Sequence, residues 1–360
     1  MIVQIEPWIN EKELEEVTEA VLSTWLTEHK KTAQFEQEFA ALTNTRHAIT
    51  VSNATGGLFV ALKAFDIGFG DEVIVPSLTF VATINAVIMA GATPVLADVD
   101  MNTFNLSIER VKPLIGPKTK AIMPVDLYGQ AGDWDQYRAL ADQHGLHLID
   151  DAAQAVGTTY KGNHVGGIAD VACFSFFGNK TMTTGQGGML ITNNDETAKR
   201  CYALKNHGRA ERATFEHEQI GFNFGFTELQ AAIGLAQLRK LDQILSRKKA
   251  IEQLYQEKLA DLPMLRFPKV DPNGVPVPWF SNILIDDSVK LAADLKAKDI
   301  QTRRFFPPIH KQPCYRGRFH GEYPNAEHIY ATGLSLPSSV TMRDEQIEFV
   351  AQAIRESLTT

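Results

Sequence analysis

One lysine, Lys180, lies in a run that packing alone does not explain: Cys173-Phe-Ser-Phe-Phe-Gly-Asn-Lys180-Thr-Met-Thr-Thr-Gly-Gln-Gly-Gly188. An apolar segment leads through Ser175 and a Gly-Asn pair into the lysine, and three threonines and three glycines follow it. A lysine held in a tight, partly apolar turn has a reason to lose its proton, and a neutral amine is a nucleophile toward aldehydes. Taken alone, the same letters describe a solvated loop lysine beside a Gly-rich turn. Three other stretches carry chemistry. In Asp150-Asp151-Ala-Ala-Gln154 a carboxylate can hold a metal, act as a base, face a cation or merely cap a helix, and Gln154 shares the face of Asp151 if the segment turns helical. Ser52-Asn-Ala-Thr55-Gly56-Gly57 is a small-residue turn that could offer backbone N–H groups to an anion. Phe80 reads either as core or as an aromatic platform.

The elements that must position these residues form a regular series. Residues 10–22 show helical spacing behind a capping Asn10, and Phe35, Phe39 and Leu42 continue it. Short apolar runs over 48–52, 71–76, 93–98, 121–125, 147–150 and 171–175 read as strands separated by helical segments such as 134–144. Strands alternating with helices predict a mostly parallel central sheet with helices on both faces, an α/β fold whose ligands bind at the carboxyl ends of strands. The polar residues Ser52-Asn53, Asp126, Asp150-Asp151 and Ser175 fall at those ends. A single long helix is predicted over 226–247, rich in small residues and suited to tight or subunit contact. Prolines then crowd 263–278, and a strand at 280–285 and helices at 289–298 and 344–358 predict a smaller α+β unit. The division is 1–247 for the N-terminal helix and large domain and 248–360 for the small one.

Composition narrows the function. A 360-residue chain with 44% hydrophobic residues can build a large core, and its net charge of −8 argues against nucleic acid as a partner. Cys173, Cys201 and Cys314 show no CxxC or Cys/His spacing, so neither a disulfide framework nor a metal site is expected, and a reducing cytoplasm fits. No 18-residue apolar run is present, so no membrane span is expected.

Taken jointly, the stretches match the needs of pyridoxal 5′-phosphate, which passes through its pyridoxamine form in amino transfer. Its aldehyde needs a lysine, its ring nitrogen a carboxylate, its phosphate a helix N-terminus with hydroxyls, and its ring an aromatic face and a hydrogen-bond partner. Lys180, Asp151, Thr55 with Gly56 and Ser175, Phe80 and Gln154 answer these in turn.

The chain resembles the DegT/DnrJ/EryC1/StrS family of sugar aminotransferases over nearly its whole length. The motifs that carry the likeness are Gly70-Asp-Glu-Val-Ile-Val-Pro76, Leu127-Tyr-Gly-Gln130, Ile149-Asp-Asp-Ala-Ala-Gln154, the run around Lys180, Gly221-Phe-Asn223, Gln230-Ala-Ala-Ile-Gly-Leu-Ala-Gln-Leu238 and Leu336-Pro-Ser-Ser339. The resemblance implies a type I pyridoxal-phosphate fold and a catalytic Lys180 bonded to the cofactor. It also implies Asp151 on the ring nitrogen, Gln154 on the ring hydroxyl, Phe80 stacked on the ring, and phosphate contacts from Thr55, Gly56 and Ser175. Asn223 would reach the phosphate of a neighbouring subunit, which makes the protein a homodimer with shared active sites. Trp25, Arg303 and His310 match positions near the sugar.

Within the family, Phe174-Ser-Phe-Phe-Gly-Asn-Lys180-Thr-Met-Thr-Thr-Gly185 is most similar to the GDP-perosamine-forming branch, and Ser23-Thr-Trp25 points the same way. The implied reaction moves an amino group from L-glutamate to GDP-4-keto-6-deoxy-D-mannose, a step toward O-antigen and lipopolysaccharide. Four departures touch the substrate side: Gln186 for a usual Glu, Gly225 for an Arg, Asp126 for a His, and Leu26-Thr-Glu-His-Lys30 for a Ser-Ser-x-Gly pattern. Alternatives are a dTDP- or UDP-linked keto sugar, a pyridoxamine-dependent dehydratase, in which a His would replace Lys180, and a non-catalytic regulatory homologue.

Overall fold

The computed structural model describes residues 1–209, 215–217 and 219–359. Seven strands form the central sheet: β1 (His47–Val51), β2 (Glu72–Pro76), β3 (Thr93–Ala97), β4 (Thr119–Ile122), β5 (His147–Asp151), β6 (Val171–Ser175) and β7 (Gly188–Thr192). Their order is β1-β7-β6-β5-β4-β2-β3. Strands β2 to β6 pair parallel, as their alternation with helices predicts. The exception is β7, which runs antiparallel between β1 and β6 and is not among the strands read from the sequence. Its Gly187-Gly188 lead-in looks like a loop, yet Gly188 has no room for a side chain: a Cβ there would meet the Ala54 nitrogen at 2.8 Å.

Neighbouring residues of each strand enter opposite apolar clusters. Val73 and Val75 pack in one and Ile74 in the other; Cys173 faces away from Ala172 and Phe174. This two-sided burial explains why the strands read as continuous apolar runs. It also leaves only the strand ends for polar side chains.

The first helix, Glu11–Leu22, starts as predicted, with Asn10 and Glu13 forming a capping box. The single helix predicted over 226–247 is two, Glu228–Arg239 and Leu241–Leu259, broken at Lys240 (φ −112°, ψ 10°). Apolar periodicity continues through the break, so the letters do not mark it. The break accompanies a buried ion pair: Lys240 Nζ lies 2.6 Å from Glu13 Oε1 and donates to the Trp8 carbonyl at 2.7 Å.

The second of these helices runs through the division read at 247/248. From Ile251 onward it packs into a third apolar cluster, with the antiparallel sheet of β8 (Ser281–Leu284), β9 (Arg303–Arg304) and β10 (Gly333–Leu336). The N-terminus joins this C-terminal layer rather than the large unit: Ile2 N donates to Asp299 O at 2.8 Å, and Gln301 N to Ile2 O at 2.9 Å. Among the described residues, no helix is long and apolar enough to cross a membrane, and no group of three His, Cys, Asp or Glu side chains could hold a metal.

Candidate active site

The carboxyl ends of β1, β5 and β6 and the amino end of β7 meet around a cavity of about 220 Å³. Lys180, Asp151, Gln154, Ser175, Thr55, Phe80 and Arg303 all line it. Lys180 and Thr55 are 125 positions apart in sequence, and the parallel topology is what brings them to one edge.

Asp151 closes β5 and is buried. Its Oδ2 accepts from Thr83 Oγ1 at 2.6 Å and its Oδ1 from Ala153 N at 3.2 Å. Burial pushes its pKa up, while these two hydrogen bonds and the charge of Lys180 pull it back. Lys180 is half-buried, and burial pulls its amine down to about 7; the Asp151 charge opposes the fall and the Arg303 charge deepens it. The lysine is therefore poised between ammonium and nucleophilic amine near neutral pH.

Gln154 Oε1 accepts from Tyr128 N at 2.8 Å, so its amide NH2 is the end left for the cavity. Tyr128 adopts φ 57° to make that contact, a left-handed conformation that a bulky residue rarely takes. The helix Ala54–Ala64 begins at the cavity with Asn53 as its cap, and the Thr55 hydroxyl lies in its first turn. Phe80, half-exposed, presents its ring beside Phe306 at 5.5 Å between centroids.

Four residues singled out from the sequence lie elsewhere. Gly56 does not line the cavity: its N–H already donates to Asn53 Oδ1 at 2.8 Å, and a Cβ would meet Phe224 Cδ1 at 2.7 Å. Its need for glycine is thus a packing need, and its amide is not on offer to an anion. Asn223 is exposed and outside its own chain's cavity. Trp25 stacks on His29 at 4.5 Å on the surface. His310 Nε2 lies 2.9 Å from Glu327 Oε1, with its ring 4.7 Å from Tyr323, again outside the cavity lining.

Of the departures, Gln186 lines the cavity, and its backbone carbonyl accepts from Gln230 Nε2 at 2.8 Å. Gly225 is exposed, its N–H donating to Asn223 Oδ1 at 3.3 Å. Asp126 is fully buried, accepting from Gly132 N and Trp134 Nε1. The sequence reading misses Thr83 and Trp279. Thr83 follows Phe80 by one helical turn, which is a usable signal, but Trp279 comes from the far side of the proline-rich stretch and has none.

A parallel-sheet enzyme with a buried aspartate and a depressed lysine at the strand ends has the layout of a pyridoxal-phosphate-dependent aminotransferase. The comparisons agree. The model of the DegT/DnrJ/EryC1/StrS aminotransferase family matches residues 7–355, and the chain belongs to that family. It is 38% identical to the GDP-perosamine synthase of Vibrio cholerae, covering 99% of this chain and 98% of that one. It is 39% identical to the spore coat polysaccharide biosynthesis protein SpsC of Bacillus subtilis, covering 97% and 95%. The crystal structure of S. venezuelae DesV in complex with a ketimine intermediate superposes with a TM-score of 0.93 at 34% identity, over 98% of each chain.

Proposed function

We propose that this enzyme transfers the amino group of L-glutamate to GDP-4-keto-6-deoxy-D-mannose, giving GDP-perosamine. The observation that carries the chemistry is the convergence of Lys180 and Asp151 on one cavity, with the first turn of the helix Ala54–Ala64 and its Thr55 hydroxyl also lining it. The likeness to GDP-perosamine synthases supports the choice of sugar. Another nucleotide-linked keto sugar is the second reading, because SpsC matches equally well and Gln186 sits in the cavity in place of the usual Glu.

The residues fit pyridoxal phosphate. A buried carboxylate held by Thr83 suits a protonated ring nitrogen, and the Gln154 amide NH2 suits the ring hydroxyl. Thr55 and Ser175 would hold the phosphate at the start of the helix Ala54–Ala64, and Phe80 would cover one ring face. When bound, the cofactor supplies an aldehyde that takes up the amino group and a ring that accepts the electron pair released at the donor carbon.

The chain supplies the rest. Lys180 Nζ, whose neutral form burial favours, would be the amine that bonds to the cofactor and, when free, the base that takes up and returns a proton at Nζ. Asp151 would meet the ring nitrogen, and the hydrogen bonds from Thr83 and Ala153 favour its charged form against the burial that opposes it. Arg303, at the cavity mouth, is assigned to the anionic substrate. We assign the exposed Asn223 to the cavity of a second copy in a homodimer, and Trp25 to the same shared surface. A cytoplasmic setting and a product destined for O-antigen complete the reading.

Purified protein assayed for 2-oxoglutarate release with L-glutamate and a panel of GDP-, dTDP- and UDP-linked keto sugars tests the proposal. Turnover with GDP-4-keto-6-deoxy-D-mannose is expected. Turnover only with a dTDP- or UDP-sugar would sink the assignment of substrate, and the absence of any half-reaction with glutamate would sink the transamination.

A further inference from the structure

Trp279 is almost wholly buried, and each of its polar groups is engaged. Its N–H donates to Tyr128 O at 3.0 Å, and its indole Nε1–H to Asn179 O at 2.6 Å, one residue before Lys180. Its carbonyl accepts from Lys248 Nζ at 2.8 Å. On the indole face, 3.6 Å from the ring centroid, lies the Nζ of Lys180. Phe280 stacks on Trp279 at 4.1 Å between centroids, and the Arg303 guanidinium lies 5.6 Å from the Phe280 centroid. Two stacked rings thus connect the two cations of the cavity.

Lys248 sits on the helix Leu241–Leu259 with only 3% of its surface exposed. Its Nζ also donates to the Ser338 carbonyl at 2.8 Å, and among the described residues no carboxylate pairs with it. Burial pulls its amine down to about 7, and a charge held there without a counter-charge is expensive, a cost that an apolar side chain of the same length would avoid. What Lys248 does in return is join the segment bearing Trp279 to the segment that follows β10.

We propose that Trp279 is a positioning residue for Lys180, its indole face holding the lysine Nζ in place whenever that nitrogen is not bonded to the cofactor, and that Lys248 fixes this platform through the Trp279 carbonyl. Nζ then has one place to rest rather than a range of rotamers, close to where it must attack and move a proton. The indole attracts the ammonium form and so restrains the fall in basicity that burial imposes. This inference rests on the reading of the cavity as a pyridoxal-phosphate site.

The test separates a bond to Lys180 from cofactor binding as such. Apo protein is mixed with pyridoxal phosphate, which bonds to Lys180, and separately with pyridoxamine phosphate, which cannot. At pH 9, where Nζ is neutral with or without the indole, Trp279→Leu is expected to slow capture of the aldehyde by about tenfold while changing the Kd for pyridoxamine phosphate less than about twofold. Trp279→Phe, which keeps a ring face, restores most of the rate. Equal losses for both probes, or no loss for either, would overturn the proposal. Lys248→Met is expected to give the same split, and the double variant with Trp279→Leu to be no slower than Trp279→Leu alone; additive effects would overturn the role of Lys248. If Lys248→Met does not fold, the Trp279 pair decides by itself. Wild-type protein that captured neither probe would overturn the proposed function, and this inference with it.

Discussion

Thr83 Oγ1 donates a 2.6 Å hydrogen bond to Asp151 Oδ2, and both residues are buried. The hydroxyl has one proton to give, and the short bond to a carboxylate takes it, so the contact with Thr79 Oγ1 at 3.0 Å must run from Thr79 to Thr83. Without this chain, burial would act on Asp151 less opposed, and its carboxyl would protonate more readily. Thr83→Val removes a charge-assisted bond worth roughly 1.5 kcal/mol, so pyridoxal phosphate should bind about tenfold more weakly. Thr83→Ser should stay near wild type. Titration of the apo variants by absorbance checks both.

Lys180 loses basicity by burial, to about 7, so the neutral amine accumulates above neutral pH rather than above the ordinary lysine range. The rate at which apo protein captures pyridoxal phosphate should rise with pH, pass its midpoint near 7 and level off above it. Asp151→Asn removes the charge that favours the ammonium, and its midpoint should move down. A midpoint near 10 in the wild type would contradict the enclosure of Lys180. Lys180→Ala should lose at least about a thousandfold in transamination, the scale of a lost general base and nucleophile.

Asp126 and Asp150 lie fully buried at neighbouring strand ends, and Asp126 Oδ2 and both oxygens of Asp150 have no hydrogen-bond partner. Desolvation raises the Asp126 pKa to about 7, helped by the charge of Asp151. A carboxyl raised in the folded state favours folding most when protonated, so its contribution is whole below pH 4 and lost as pH rises through about 7. Asp126→Asn keeps Oδ1 for Gly132 and Trp134 and replaces the orphaned Oδ2 by an uncharged donor. It should raise stability at pH 8 by about 1–2 kcal/mol and leave it nearly unchanged at pH 5. Denaturant melts at the two pH values test this, and a destabilised variant at pH 8 would refute it.

Glu228 serves the helix Lys30–Thr43, whose own cap residue His29 makes no side-chain cap. Its carboxylate accepts from His29 N, Lys31 N and Thr32 N at 2.8, 2.8 and 2.9 Å, and from Thr32 Oγ1 at 2.6 Å. Burial opposes the charge, but these donors win and hold its pKa below the usual value. The stabilisation is therefore present above about pH 4.5 and lost as pH falls through the lowered value. Glu228→Gln turns one acceptor into a donor facing Lys31 N–H and should cost about 2–3 kcal/mol at pH 7. The acid limb of its stability curve should flatten accordingly.

The sequence by itself determined the chemistry on offer and the order of the layers. Alternating apolar runs dictated a parallel sheet, because strands buried on both faces must read that way. The strand ends then located Asp151, Ser175 and the start of the helix at Ala54, since only there can polar groups face a cavity. Lys180 was legible because no packing need explains its run.

Tertiary structure decided everything that depends on which distant segments touch. Gly56 looked like an anion cradle, and only the position of the Phe224 ring shows it to be a packing glycine. β7 was hidden because its Gly188 is demanded by the backbone of Asn53 and Ala54, far away in sequence. The cap of the helix Lys30–Thr43 comes from Glu228, and the platform under Lys180 comes from Trp279, held by Lys248. Such pairings obey no period and no spacing. They arise from close packing and from the need of every buried polar group for a partner, and those constraints act in space rather than along the chain.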